Sequence, residues 1–197
     1  MNGIDTIFKA AEKLFAEKSF SSVSMDQIAQ KSGMSKGNLY HHFESKEDLY
    51  NQLLFNCHQR VADLLKETES IEGTYLDKIR FFVKEHLKIL MGDPQKTKLL
   101  LKEFSDLIDR NSMYDKRTFF LTNFEMVVNL IDQAKNNNEI IRTCDSKILA
   151  IQFLSPTFSY LVFQSVAKEM LGDSDPHKNI HLTDQMTENL INGLINK

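Results

Sequence analysis

The sequence predicts an all-α protein, and three observations carry that reading. Proline and glycine are scarce, three and seven in 197 residues. No stretch alternates β-branched and polar residues with the period of two that a half-buried strand requires. Apolar residues instead recur at three- and four-residue steps, segment after segment, with capping residues and glycines between the segments. The length suits one compact unit, or a small domain followed by a larger one. Cys57 and Cys144 stand alone, with no C-x-x-C or C-x-x-H spacing, and read as reduced thiols rather than a zinc or redox site. The first fifteen residues contain acids and no apolar core run, so they do not read as a secretion signal.

Asn2 to Lys18 reads as an amphipathic helix with Ile4, Ile7, Phe8, Ala11, Leu14 and Phe15 on its inner face. These residues, with Phe20, Val23, Ile28, Leu39 and Phe43, are expected to form the core of a three-helix domain. Ser24 is a good N-cap for the second helix, and Gln27 three residues later completes a capping box. Val23 before the cap and Ile28 inside the helix suit a hydrophobic staple. The helix should end at Lys31 or Ser32, with Gly33 supplying the left-handed residue. Only Met34 separates Gly33 from the next cap, Ser35. Two helices joined by a short turn containing Gly form the helix-turn-helix pattern.

The second of these helices, Lys36 to His42, is a poor structural helix. Leu39 is its one clearly inward residue. Gly37 in the first turn costs up to about 1 kcal/mol against Ala. A glycine there makes sense where something approaches the backbone closely. Ser35, Lys36, Gly37 and Asn38 place free N–H groups, a hydroxyl and the positive end of the helix dipole together, which suits a phosphate. Tyr, Asn, His and Lys side chains reach phosphates and base edges alike.

Ile28, Ala29, Gly33, Ser35, Gly37, Leu39, Tyr40, His42, Phe43, Ser45, Lys46, Glu47 and Leu49 follow the pattern I-A-x-x-A-G-V-S-x-G-x-L-Y-x-[HY]-F-x-[ST]-K-E-x-L. The stretch therefore closely resembles the DNA-binding signature of the tetracycline-repressor (TetR) family of bacterial transcription regulators. Ser32 and Met34 stand where the pattern has Ala and Val, away from the DNA-facing side. The resemblance covers the first quarter of the chain. It implies a helix-turn-helix DNA-binding domain over residues 1–46. It also implies a six-helix domain over 47–197 that binds a small effector and dimerises. Ser24, Ser35, Lys36, Tyr40 and Lys46 would then mainly hold phosphates, while Gly37, Asn38 and His41 would lie against base edges.

Ser45 opens a long helix to about Glu69, with Glu47 and Asp48 in the first turn, where acids suit the dipole. Gly73 breaks the chain and Thr74 caps a helix from Tyr75 to Met91. Asp93 with Pro94 is a cap followed by a first-position proline, opening a helix to about Ile108. Asn111 or Ser112 should begin the next helix, which reaches about Lys135 before the polar break at 136–138. Asp145 caps a helix to Leu171. Residues 173–179 read as a loop, and Thr183 caps a last helix to about Asn196. There is no internal repeat and no low-complexity segment.

Residues 148–167 carry no charge over twenty positions, about the length of a membrane span. Gln152, Ser155, Pro156, Thr157, Ser159, Gln164 and Ser165 dilute the stretch, and no basic cluster flanks one side. A helix buried by its own core and by a partner subunit explains it better than a bilayer. The resemblance implies a homodimer in which the helices at about 145–171 and 183–196 pair with their mates. Ser155, Ser159 and Gly193 would allow close approach.

Net charge is -3, and residues 1–50 hold six Lys against seven Asp and Glu. A strongly basic footprint is therefore absent, and only a local patch of Lys31, Lys36, Lys46, His41 and His42 remains. Non-specific binding should be weak and its salt dependence modest. No phosphate-binding glycine loop, G-x-S-x-G, H-E-x-x-H or paired-carboxylate arrangement stands out, and His86, His177 and His181 are scattered. No enzyme, cofactor or metal is expected. Fourteen Phe and eight Met form a large apolar supply. The resemblance implies that some of it lines an effector cavity, with Phe82, His86, Phe104, Phe120, Phe124 and Phe158 as candidates. An apolar, aromatic cavity would take a hydrophobic small molecule. The functional expectation is a cytoplasmic homodimeric regulator, a repressor, that binds a pseudo-palindromic double-stranded DNA operator and is released by its effector. The competing expectation is a helical sensor or adaptor that binds no operator.

Overall fold

The computed structural model describes the backbone of residues 3–108, 117–141, 143–171 and 176–194. Those residues form nine α-helices and no strand: α1 (Gly3–Glu17), α2 (Met25–Ser32), α3 (Lys36–His42), α4 (Lys46–Ser70), α5 (Tyr75–Gly92), α6 (Pro94–Ile108), α7 (Arg117–Asn136), α8 (Ser146–Leu171) and α9 (Pro176–Leu194). A short 3-10 turn at Phe20–Ser22 joins α1 to α2.

The helix boundaries follow from the caps. Ser24 Oγ accepts from the Gln27 N–H at 3.2 Å, and the Ser24 N–H donates to Gln27 Oε1 at 3.0 Å. Gly33 ends α2 in the left-handed region at φ 68°. Ser45 Oγ accepts from the Asp48 N–H at the start of α4. Thr74 and Asp77 cap α5 reciprocally, and those hydrogen bonds hold the Asp77 carboxyl below its usual range. Asp145 accepts from the N–H groups of Lys147 and Ile148 at the head of α8, and its carboxyl is held low by them. Each of these caps satisfies amide donors that a helix leaves unpaired at its start.

Two boundaries differ from expectation or escape it. The last helix begins at Pro176, not Thr183. Proline suits the first helical position, where its fixed φ is already helical and its missing N–H has no partner to lose. The polar residues behind it masked that signal. The predicted start of α7 at Asn111 or Ser112 lies outside the described residues.

The chain packs as two compact units, Met1–Arg60 with Leu90–Phe119, and Val61–Ile89 with Phe120–Lys197. In the first, Ile7, Ala11, Leu14, Phe15, Val23, Ile28, Leu39 and Phe43 form one buried core with Leu49, Leu53 and Leu54 of α4 and Leu99 of α6. Phe15 stacks on Phe20 and meets Tyr50 edge-on at 4.9 Å. Helix α6 lies along α1. Lys102 Nζ donates to the carbonyls of Phe15 and Lys18 at the end of α1, where a cation complements the helix dipole. Cys57 is buried in this unit, and desolvation pushes its thiol up to about 12, leaving it protonated and unreactive.

In the second unit, Leu64, Leu65, Ile79, Phe82, Val83, Val127, Ile131, Leu149, Phe153 and Ile191 make a separate core. Helix α7 ends at Asn136, and Asn138 in the turn just beyond it sits in the left-handed region at φ 59°. Glu139 then accepts from the Leu76 N–H at 2.9 Å, and the Ile141 N–H donates to Leu194 O at 2.9 Å. These bonds satisfy backbone groups at the head of α5 and the end of α9. No helix among the described residues is long and apolar enough to cross a membrane.

Candidate nucleic-acid interface

Helices α2 and α3 meet across a turn of three residues, Gly33 to Ser35. Ile28 and Ala29 of α2 and Leu39 of α3 are buried at the crossing. The Met34 N–H donates back to Ala29 O at 3.1 Å, closing the turn. Ser35 Oγ accepts from the Asn38 N–H at 3.1 Å and caps α3. Leu39 is the one buried residue of α3. Ser24, Ser35, Lys36, Gly37, Asn38, Tyr40 and His41 are all exposed, and Tyr40 leaves 49% of its surface open. The structure thus brings seven of the eight residues expected at DNA onto solvent-facing positions of one helix-turn-helix.

The eighth, Lys46, is turned inward. Its Nζ donates to the Phe20 and Val23 carbonyls, both at 2.9 Å, and sits 4.3 Å over the Phe20 ring. It braces the 3-10 turn and the entrance to α2. Lys36 is exposed but paired, with Nζ 2.8 Å from Asp26 Oδ1, and its hydrogen bond to Asp26 raises its pKa. Asp26 holds the ammonium beside the start of α2. A phosphate approaching there meets a cation whose carboxylate partner is largely exposed and easily displaced.

The six effector candidates fall into separate groups. Phe82 and His86 of α5 are buried and stacked, with centroids 5.4 Å apart and ring planes 9° from parallel. Phe158 of α8 meets His86 edge-on at 6.4 Å. Phe120 and Phe124 stack on one another along α7 at 6.0 Å. The Phe104 side chain lies outside the described residues. His86 Nδ1 is buried with no hydrogen-bond partner, and desolvation pushes the imidazole down to about 4, so the ring is neutral at physiological pH. Thr157 Oγ1 of α8 is likewise buried and unpartnered. Such orphaned polar atoms are uncommon in a finished core and mark a place for a ligand or water.

One buried polar pair has no counterpart in the sequence reading. His58 of α4 and Glu103 of α6 meet at 2.7 Å and are almost wholly buried. They are 45 residues apart, and no local pattern announces them.

A solvent-facing, donor-rich second helix held on a buried crossing defines a helix-turn-helix protein. Residues 7–53 match the family described as bacterial regulatory proteins, tetR family. The match runs from α1 through α3 into the start of α4. It is 32% identical over 75 residues, 36% of its own length, to the biofilm operon icaADBC HTH-type negative transcriptional regulator IcaR of Staphylococcus epidermidis. It is 39% identical over 69 residues, 35% of its length, to the HTH-type transcriptional regulator UidR of Escherichia coli K12. The matches span 40% and 34% of those relatives. The fold is similar throughout to that of the transcriptional regulator FadR from Bacillus subtilis, solved in complex with stearoyl-CoA. The TM-score is 0.70 at 17% identity, with 96% of this chain and 98% of that chain covered.

Proposed function

We propose that the protein is a homodimeric, effector-responsive DNA-binding transcriptional regulator, a repressor, acting in the cytoplasm. The observation that carries this reading is α3, a helix with one buried residue and an exposed face of Lys36, Gly37, Asn38, Tyr40 and His41. Residues 1–46 form the DNA-binding part, and 47–197 the effector-binding and dimerising part. Two copies of α3 enter successive major grooves of a pseudo-palindrome, about 34–36 Å apart. Ser24, Ser35, Lys36 and Tyr40 hold phosphates, while Gly37, Asn38 and His41 lie against base edges. Lys46 reaches a phosphate by exchanging its carbonyl partners for it.

The dimer forms through α8 and α9. Ile148, Ile151, Ser155 and Val162 follow helical spacing on one face of α8, and the three apolar members are 57%, 58% and 65% exposed. Met186 and Gly193 of α9 are exposed as well, and a Cβ at Gly193 would meet nothing within 4 Å. An apolar stripe of this kind on a soluble helix marks a contact surface.

The effector is a small hydrophobic molecule seated against Phe82, His86 and Phe158, with Phe104, Phe120 and Phe124 as further walls. The acyl chain carried by the similarly folded FadR is of that class. His86, neutral with an open Nδ1, supplies one hydrogen bond. Binding there biases α4, which is one continuous helix from the DNA-binding part onward, toward a state with the wrong α3 spacing. The shift is limited by the effector's preference for that state. The competing reading, a sensor or adaptor without DNA binding, gives no reason for α3's exposed donors.

Selection of bound fragments from sheared DNA of the source genome tests the proposal. Recovery of a small set of fragments sharing an inverted repeat, lost with Tyr40→Ala plus Lys36→Ala, supports it. Recovery of no fragment above background at low salt contradicts it.

A further inference from the structure

Helices α5 and α9 of the second unit run antiparallel. The Leu76 N–H at the head of α5 donates to Glu139, and Ile141, just beyond, donates its N–H to Leu194 O at the end of α9. Arg80 and Glu188 meet across the two helices, with Nε 2.6 Å from Oε1 and Nη2 3.2 Å from Oε2. One turn further from that end, the same register sets Lys84 of α5 opposite Asp184 of α9. There the walls stand apart. A cavity of about 240 Å³ opens between them, lined by Arg80, Phe81 and Lys84 on one side and by Asp184, Thr187 and Glu188 on the other. Phe81 packs against the second core and Thr187 is 3% exposed, so the fold itself holds this part of the lining. The Arg80 guanidinium is taken by Glu188 and Asp77, whereas Lys84 and Asp184 make no ion pair among the described residues. None of the six effector candidates lines this cavity.

We propose that this cavity binds a small zwitterion, a free α-amino acid with an apolar side chain. Its carboxylate meets Lys84, whose ammonium only donates, and its ammonium meets Asp184, whose ionised carboxylate only accepts. Both charges are required because the unmatched cation and the unmatched anion stand on opposite walls, and a ligand with one charge leaves one of them unanswered. The apolar side chain covers Phe81, where burial of carbon surface adds to the two ion pairs. The size follows from the volume, which is below the roughly 300–1,000 Å³ of pockets for drug-sized ligands. Bound ligand joins α5 to α9 one turn beyond the Arg80–Glu188 pair. By helical spacing Asp184, Thr187 and Glu188 lie on the side of α9 away from Met186 and Gly193, so the dimer contact proposed above uses the other face of that helix.

Three probes sharing a phenyl ring test the site: L-phenylalanine, 2-phenylethylamine, which lacks the carboxylate, and 3-phenylpropanoate, which lacks the ammonium. Each is titrated to about 10 mM, roughly tenfold above a Kd of about 1 mM, into the full-length protein with 13C-methyl threonine. The Thr187 methyl signal, assigned by its loss in Thr187→Ser, reports this cavity, which Thr187 lines and Phe82 does not. The expected result is a saturable shift of that signal by phenylalanine, with each of the other two probes weaker by about fivefold, the factor of a partly exposed ion pair. In Lys84→Gln, phenylalanine should weaken by about fivefold while phenylethylamine is unchanged. In Asp184→Asn, phenylalanine should weaken likewise while phenylpropanoate is unchanged. Both variants leave Arg80 and Glu188 in place, and circular dichroism checks their fold. No saturable shift by phenylalanine, affinities of the three probes within about twofold of one another, or an unchanged phenylalanine affinity in either variant overturns the proposal.

Discussion

At Gly37 the protein leaves room that its sequence does not use. A Cβ there would meet only Ser35 Oγ, at 3.9 Å, an ordinary contact. Nothing inside the chain demands glycine there, and the proposed docking of DNA on α3 supplies a reason for it. Gly37→Ala should therefore raise the unfolding free energy by up to about 1 kcal/mol, read by urea denaturation. The same substitution should weaken operator binding by about tenfold or more, because a methyl lies where a base edge or phosphate must approach. His86 gives a second prediction at this scale. Its folded pKa of about 4 lies below the ordinary 6.5, through desolvation. Between those values the unfolded chain binds a proton that the folded chain refuses. Its contribution to stability is complete above pH 6.5 and is lost as pH falls to about 4, an upper bound of about 3 kcal/mol. Denaturant melts from pH 7 to 4 should show a steeper loss for the wild type than for His86→Gln.

At the scale of the element, the turn between α2 and α3 rests on backbone chemistry. Gly33 sits at φ 68° with open space around a hypothetical Cβ. Gly33→Ala thus carries the left-handed penalty alone, about 1–2 kcal/mol. Ser24→Ala removes one half of the capping box and should cost about 1 kcal/mol. Calorimetry reads both, and a cost near zero for Gly33→Ala would mean that the turn adopts another conformation. These features were legible in the sequence because they are local: Ser24 and Gln27, or Gly33 and Ser35, lie within one turn of each other. Leu39 as the sole inward residue of α3 was legible from helical spacing. The start of α9 at Pro176 was obscured by the polar residues after it, a loop-like composition that folds as helix. The inward turn of Lys46 and the His58–Glu103 pair were not legible. Both depend on carbonyls or side chains more than twenty residues away, which only the packed chain brings close.

At the scale of the molecule, the long helix α8, uncharged over residues 148–167, has two different faces. Leu149, Ala150, Phe153 and Leu154 are buried in the second core, while Ile148, Ile151 and Val162 are open to solvent. The sequence pattern could say that α8 is apolar nearly all round, and only the packing separates the inner face from the outer. Ile151→Glu with Val162→Glu places charges on the outer face without touching the core. Sedimentation velocity should then report a monomer where the wild type is a dimer, and operator affinity should fall with it, since one recognition helix reads only half a site. A double variant that stays dimeric would move the interface elsewhere. The packing units also cut across the proposed functional division. Helix α6 packs with the DNA-binding helices through Leu99, Lys102 and the α1 carbonyls, so the middle of the sequence helps to hold the first unit together. Separation in sequence hid that role.

Reading of DNA by α3 is best tested by a fluorescence anisotropy titration with a labelled duplex from upstream of the protein's own gene, against a scrambled duplex of equal length and salt. Wild type and Asn38→Ala plus Tyr40→Ala, a variant that leaves the Leu39 anchor in place, are compared on both. Salt-sensitive binding that favours the upstream duplex, at two protomers per site or a multiple, and falls by about a hundredfold or more in the variant, is the predicted result. Preferential binding that the variant retains unchanged would contradict it, because the face of α3 would then not be what touches the DNA.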